Sequence, residues 1–160
     1  MADQLEGLVS ASYPAVPAML GHARRAATAL ARAAGATPDQ VDAIRLATSE
    51  ALTNAIVHAY RDGPGEVHFA VSVAGDEVWI LVADDGGGLQ QGGGEGGLGL
   101  GLVLIAQACD ELTIVTRSNG GTELRMGFRL GAAPPSDEDQ SRGSVSSARS
   151  PAASVFSTTR

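Results

Sequence analysis

The chain has 160 residues, enough for one compact core, since domains commonly run ~100–150 residues and splitting into two is unusual below ~250. Its formal net charge of −7 argues against a general nucleic-acid or anionic-membrane binder, because phosphates attract basic surfaces and are repelled by acidic ones. A single cysteine, Cys109, excludes an internal disulfide, and no apolar stretch approaches the ~18–20 residues a bilayer span needs, so a soluble cytoplasmic protein is expected.

In chain order, Leu5 to Ser12 reads as a short strand. Val16, Leu20, Ala23, Ala27, Leu30 and Ala34 then recur at three and four residues, one stripe of an amphipathic helix that stops at Gly35. Thr37-Pro38-Asp39-Gln40 supplies a capping box with proline at the first helical position, and the spacing predicts a second helix from there to about Tyr60. Asp62-Gly63-Pro64-Gly65 ends it. Val67, Phe69, Val71 and Val73 alternate with smaller or polar residues, and Val78 to Val82 follows the turn at Ala74-Gly75-Asp76, which makes a hairpin. After the glycine-rich segment 86–97 come a helix from about Leu98 to Cys109, a strand Leu112 to Arg117, the turn Ser118 to Gly121, and a last strand on which Leu124, Met126, Phe128 and Leu130 alternate. The expected fold is α+β: a two-layer sandwich in which a mixed, mostly antiparallel sheet carries helices on one face. Residues 1–131 form that domain. From Ala132 to Arg160 the composition turns to Pro, Ser, Ala and charge, too little apolar area to offset ordering, and a disordered tail is expected, its serines leaving a docking or phosphorylation role open.

Three segments carry chemistry. On the second helix Val41, Ile44, Thr48, Ala51, Leu52, Ala55 and Ala59 share a face, while Glu50, Asn54 and His58 follow one another at one-turn spacing along its edge. A carboxamide oxygen there suits Mg²⁺, a hard ion that prefers oxygen ligands, and a carboxylate can take the proton of a water or hydroxyl attacking a γ-phosphate. A solvated helix rim has the same appearance. Asp84 closes an apolar strand and precedes Gly86-Gly87-Gly88; such an acid can accept a hydrogen bond from adenine's exocyclic amine, and the glycines let a flat base approach the backbone. Gly97, Gly99 and Gly101 open an apolar helix, where free backbone N–H groups and the helix dipole make an anion site; close helix packing is the competing use of those glycines. Neither a Rossmann fingerprint nor a Walker loop is present.

In this order, Glu-x₃-Asn on a helix, Asp-x-Gly-x-Gly after a strand and Gly-x-Gly-x-Gly before a helix, the set resembles the ATP-binding superfamily of gyrase B, histidine kinases, mismatch-repair ATPases and heat-shock chaperones. More closely it resembles the anti-sigma-factor serine/threonine kinases, over about Leu8 to Leu130 and most specifically over Ser49 to Tyr60. The resemblance implies a Bergerat-type ATP-binding fold, with ATP and Mg²⁺ as cofactors. By motif, Glu50 is the general base, Asn54 the Mg²⁺ ligand and Asp84 the adenine acceptor. Gly86 and Gly88 shape the base pocket, Gly97, Gly99 and Gly101 serve the lid and phosphates, Thr122 lines the adenine side, and His58 faces the phosphates. The implied activity is transfer of the γ-phosphoryl of ATP to a serine or threonine of an anti-sigma antagonist, alternating with sequestration of a sigma factor. A homodimer without direct nucleic-acid contact is implied as well.

Two departures qualify the transfer of roles. The segment between Gly88 and Gly97 is short, and Glu95-Gly96 stands where the relatives place an arginine before the phosphate glycines. A carboxylate there repels developing phosphoryl charge. Arg61 or an arginine from a partner chain is the candidate substitute, and an ATP-dependent partner-binding module with little turnover is the alternative reading. A sensor histidine kinase is disfavoured, because no phosphoacceptor helix pair is seen upstream. His22 and His68 read as surface residues, Trp79 as sheet packing, and Cys109 as an inert packed thiol.

Overall fold

A computed structural model of the chain describes residues 5–59, 63–87 and 98–131. Five strands and three helices alternate as β1 (Leu5–Pro14), α1 (Met19–Ala33), α2 (Pro38–Asn54), β2 (Glu66–Ala74), β3 (Glu77–Asp84), α3 (Leu98–Ala108), β4 (Glu111–Thr116) and β5 (Thr122–Arg129). The strands lie in the order β1-β2-β3-β5-β4, and every pairing is antiparallel. The sequence suggested a mixed, mostly antiparallel sheet. β3 and β4 do run the same way, but β5 is inserted between them and pairs with both, so no parallel ladder forms.

Local signals set the element ends. Thr37 Oγ1 accepts from the Gln40 backbone N–H at 3.3 Å and Gln40 Oε1 accepts from the Thr37 N–H at 2.9 Å, a reciprocal cap with Pro38 inside the first turn. The Gln40 amide also donates to the Arg129 carbonyl at 2.9 Å, tying the start of α2 to the end of β5. At the end of α1, Gly35 takes φ +90°, and the Ala36 and Gly35 N–H groups return to the Ala31 and Arg32 carbonyls at 2.9 and 3.0 Å. This is a Schellman stop that a Cβ would strain.

The core lies between the sheet and the helices. Ile44, Leu52, Phe69, Ile80, Ile105 and Met126 are fully buried, each worth ~1.5–3 kcal/mol of apolar transfer. Along β3 the inward positions are Val78, Ile80, Val82 and finally Asp84, and along β5 they are Thr122, Leu124, Met126 and Phe128. Strand alternation therefore delivers a carboxylate and a hydroxyl to the helix side at one end of the sheet. On the other face Trp79 spreads over Gly127, where a Cβ would meet the indole at 2.9 Å, and its Nε1 donates to Glu77 at 3.0 Å. Cys109 is half-buried, its thiol pushed up by burial and donating to the Ile105 carbonyl at 3.1 Å.

α2 does not continue to Tyr60 as an α-helix. A π-helical turn, Ala55–Ala59, begins directly after Asn54, and Tyr60 lies outside the described residues. No glycine or proline marks the change. Widened turns of this kind recur at functional sites. The tail 132–160 also lies outside the described residues. Among the described residues no helix is long and apolar enough to cross a membrane.

Because Leu52 is fully buried on the α2 face that meets the sheet, Leu52→Ala is expected to cost about 2–5 kcal/mol in urea unfolding. Thr37→Ala, which removes only the cap acceptor, is expected to cost about 1 kcal/mol with an unchanged urea slope.

Candidate nucleotide site

Glu50 and Asn54 come from the last turn and a half of α2, and the start of α3 is laid directly on them. A Cβ built on Gly101 would stand 3.1 Å from Glu50 Oε2 and 3.3 and 3.4 Å from Asn54 Oδ1 and Nδ2. A methyl here would force the Glu50 and Asn54 side chains to give by a few tenths of an ångström. Gly99, by contrast, is exposed with open space around it. The glycine ladder therefore divides its work: Gly101 secures close packing, and the exposed first turn around Gly99 keeps backbone N–H groups without intrahelical partners. Of the two uses of these glycines that the sequence left open, close helix packing is seen at Gly101.

Asn54 is buried with 7% of its surface exposed, yet among the described residues its Nδ2 has no hydrogen-bond partner. An orphaned amide of this kind costs ~1–3 kcal/mol and is uncommon in a settled core. Thr48, one and a half turns earlier, is buried too but donates to the Ile44 carbonyl at 2.6 Å. The unmet donor is thus specific to the position beside Gly101 and Glu50.

The second half of the constellation is the end of β3. Asp84 is 5% exposed; its Oδ1 accepts from the Gly86 N–H at 3.0 Å and from the Thr122 N–H at 3.4 Å. Both described bonds fall on one oxygen, which leaves Oδ2 for another donor. Burial raises the Asp84 carboxyl above its ordinary range, and the two backbone bonds only partly offset that. Gly121 presses on the same residue: a Cβ there would lie 1.9 Å from the Asp84 carbonyl oxygen, an impossible contact. Thr122 is buried next to it.

The site residues expected from the sequence thus fall into two groups on the helix side of the sheet. Glu50 and Asn54 both border Gly101, and Asp84, Gly86 and Thr122 are joined by hydrogen bonds. The segment after Asn54 packs on β3. His58 lies on the π-helical turn, so α-helical spacing from Asn54 does not place it. Gly88 and Gly97, and with them Glu95 and Arg61, lie outside the described residues.

Sequence reasoning missed a further cluster beside Asp84. His68, read as a plain surface residue, contacts Asp85 Oδ2 through Nε2 at 3.0 Å and Ser12 Oγ through Nδ1 at 2.7 Å. Asp85 Oδ1 accepts from Arg117 at 2.6 Å and from Asn119 at 2.7 Å. These partners hold the Asp85 carboxyl below its usual range, the His68 and Asn119 bonds first. Only the doubled acid Asp84-Asp85 hinted at it in the sequence.

For a magnesium ion the donor set fits sparsely but chemically: one carboxamide oxygen beside one carboxylate. Mg²⁺ is commonly held by one or two protein oxygens plus waters and phosphates, a role open to Asn54 Oδ1, whereas the unmet Asn54 Nδ2 is a donor suited to an acceptor such as a phosphate oxygen. Among the described residues no three His, Cys, Asp or Glu side chains gather into an all-protein metal cage. A surface cleft at the opposite end of α2, bounded by Arg32, Pro38, Val41 and Arg45, shares no residue with this constellation.

Comparison with known proteins agrees with this geometry. Residues 13–128 match the family described as the histidine kinase-like ATPase domain. The chain is 33% identical over 136 residues to the serine-protein kinase RsbW of Bacillus velezensis, covering 74% of this chain and 82% of that protein. It is 38% identical over 86 residues to the RsbW of Bacillus subtilis, covering 53% and 51%, and 27% identical over 121 residues to an anti-sigma F factor of Thermoanaerobacter, covering 69% and 85%. A solved structure of the RsbU and RsbW domains of a Mycobacterium tuberculosis protein has a TM-score of 0.61 at 23% identity, covering 78% of this chain and 32% of that one, a likeness of fold. With the match running from the end of β1 to the end of β5, the chain belongs to the histidine kinase-like ATPase family, in the company of the RsbW-type serine-protein kinases.

Proposed function

We propose that the protein is an ATP-binding anti-sigma regulator that transfers the γ-phosphoryl of ATP to a serine or threonine of an anti-sigma antagonist and, in the alternate state, sequesters a sigma factor. The observation that carries this reading is the seating of α3 on Glu50 and Asn54 through Gly101, beside an unmet buried amide. A helix start with free N–H groups, a carboxylate and a carboxamide at one place are what a phosphate chain with its metal requires.

In this reading Asp84 Oδ2 accepts from the exocyclic amine of adenine, while Gly86, Gly88 and Thr122 line the base. Gly97, Gly99 and Gly101 offer backbone N–H groups and room to the phosphates, and His58 borders them. Asn54 holds Mg²⁺, which screens the phosphate charge when bound. Glu50 takes the proton from the attacking hydroxyl. The protein works as a homodimer on protein partners. Residues 1–131 form the working domain, and 132–160 are a tail apart from it.

A second reading, a partner-binding module that uses ATP as a structural ligand, draws support from the distribution of cations. The sequence contains no lysine, so every basic side chain is an arginine. Among the described residues, Arg24, Arg25, Arg45, Arg117, Arg125 and Arg129 bond to Leu20, His22, Asp42, Asp85, Glu123 and Glu77, and none of these bonds reaches Glu50 or Asn54. Charge stabilisation at the γ-phosphate then falls to Arg61 or to a partner.

Incubation with [γ-³²P]ATP, Mg²⁺ and a candidate antagonist should label the antagonist on serine or threonine. Glu50→Gln should lower that rate by about 10²–10⁴-fold while ATP affinity persists. Label surviving in that variant removes Glu50 as the base; nucleotide-dependent melting shifts without any label select the second reading.

Asp84→Asn separates function from stability. Oδ1 of the new amide still accepts the Gly86 and Thr122 N–H groups, but its NH₂ confronts the adenine amine, so ATP affinity should fall about tenfold or more by calorimetry. The pH dependence follows from a carboxyl raised above 3.8 in the fold. Its contribution is fullest below that value and is lost as pH rises through the folded pKa, because the native state keeps the proton longer than the unfolded chain. At pH 7 Asp84→Asn should melt no lower than the parent, and its stability should fall less steeply across that window. A variant that melts well below the parent at pH 7 would show the carboxylate to be structural.

A further inference from the structure

We propose that Asp85 is a positioning residue for base recognition, locking the β4–β5 turn against the end of β3 so that Asp84 is held in its receiving orientation. This inference rests on the nucleotide reading above and assigns work to a residue outside its motifs. The lock is a closed circuit. Arg117 and Asn119, from the turn, converge on Asp85 Oδ1 at 2.6 and 2.7 Å, and Arg117 also reaches the Asp84 carbonyl at 3.4 Å. Asn119 turns its own Oδ1 back to the Gly121 N–H at 3.1 Å. Gly121 abuts the Asp84 carbonyl, and the next N–H, that of Thr122, lands on Asp84 Oδ1. From the opposite side His68, backed by Ser12, holds Asp85 Oδ2, so the carboxylate is fixed from β1, β2 and the turn together.

The circuit has a clear mechanical sense. Without it, the Thr122 N–H that orients Asp84 depends on a glycine-rich turn, Ser118 to Gly121, with Gly120 at φ +93°. A turn of that composition has many conformations to lose. Charge-assisted bonds to one carboxylate restrict it. Arg117 also stands as a positive charge between two adjacent acids, which would otherwise repel each other.

The test is base selectivity, a readout that general weakening of the fold does not move. Affinities for ATP, ADP and GTP are measured by calorimetry in the parent, Asp85→Ala, Asp85→Asn, Asp84→Asn and the double variant Asp84→Asn/Asp85→Ala. Asp85→Ala should reduce the preference for ATP over GTP by about tenfold and leave the ATP-to-ADP ratio unchanged. Asp85→Asn, which keeps an oxygen for Arg117 and Asn119, should recover part of that preference. The double variant should bind ATP no more weakly than Asp84→Asn, because Asp85 acts through Asp84. Asn119→Ala supplies the same comparison should Asp85→Ala fail to fold. A parent that prefers ATP together with an Asp85→Ala variant of equal preference overturns the positioning role alone, as does additivity in the double variant. A parent that binds none of the nucleotides overturns the nucleotide reading and this inference with it.

Discussion

Two missing Cβ atoms constrain everything that is chemically distinctive in this molecule. At Gly101 the backbone of α3 comes so close to α2 that Glu50 and Asn54 form its floor, and at Gly121 the β4–β5 turn touches the carbonyl of Asp84. Neither approach is a matter of backbone dihedral freedom, since neither residue has a positive φ. Both are steric. Each lays a chain segment against an element that the core has already fixed. α2 and β3 are anchored by Ile44, Leu52, Ile80 and Val82, and α3 and a glycine-rich turn close on them.

That division accounts for where the fold carries its costs. Asp84 and Asn54 are the buried polar groups least suited to a hydrophobic layer: one is a carboxylate with one described oxygen satisfied, the other a carboxamide with an orphaned NH₂. A core optimised for stability alone would put apolar residues at both positions, continuing the run Val78, Ile80, Val82 along β3 and the face Ile44, Ala51, Leu52, Ala55 along α2. On β3 the interruption falls at the last position of the run, and on α2 Asn54 stands between the buried Leu52 and Ala55. Placed at the edge of the core, the two groups weaken packing little and remain reachable from the side where α3 and the turn close in.

Much of this was legible in the sequence because the signals are local. Period-two alternation marked β2 and β5, an apolar run after a turn marked β3, the Thr37-Gln40 box marked the start of α2, and Gly35 marked the stop of α1. Glu50 and Asn54 were identifiable by their one-turn spacing along the edge of α2, and Asp84 as the acid closing an apolar strand. What escaped depends on contacts distant in the chain. The purely antiparallel sheet follows from the insertion of β5 between β3 and β4, which no periodicity encodes. The π-helical turn at Ala55–Ala59 has no breaker residue, and Ala, Ile and Val suit an α-helix there. The Asp85 cluster joins residues 12, 68, 85, 117 and 119, four segments whose pairing is set by sheet register: Ser12 faces His68 across β1 and β2. The division of labour between Gly99 and Gly101 likewise appears only when α2 lies beneath one of them.

Charge gives the last link between the fold and the proposed ligand. A chain with net charge −7 and no lysine offers a nucleoside triphosphate little long-range attraction; Arg45, Arg117, Arg125 and Arg129 are paired with acids, and Arg32 lies on the cleft at the opposite end of α2. Arg117, the one arginine at the base end, is committed to Asp85 and the Asp84 carbonyl. In the proposed function affinity therefore rests on short-range terms: the carboxylate of Asp84 as acceptor for the base, and, for the phosphates, the amide of Asn54 and the backbone N–H groups at the start of α3 as donors. Such donors carry partial charges, bind an anion without drawing other anions to the surface, and act only within the first turn of the helix. A site of this kind discriminates by shape and hydrogen bonding rather than by charge. It leaves the acidic exterior free to favour basic surfaces, which suits the protein partners of the proposed function.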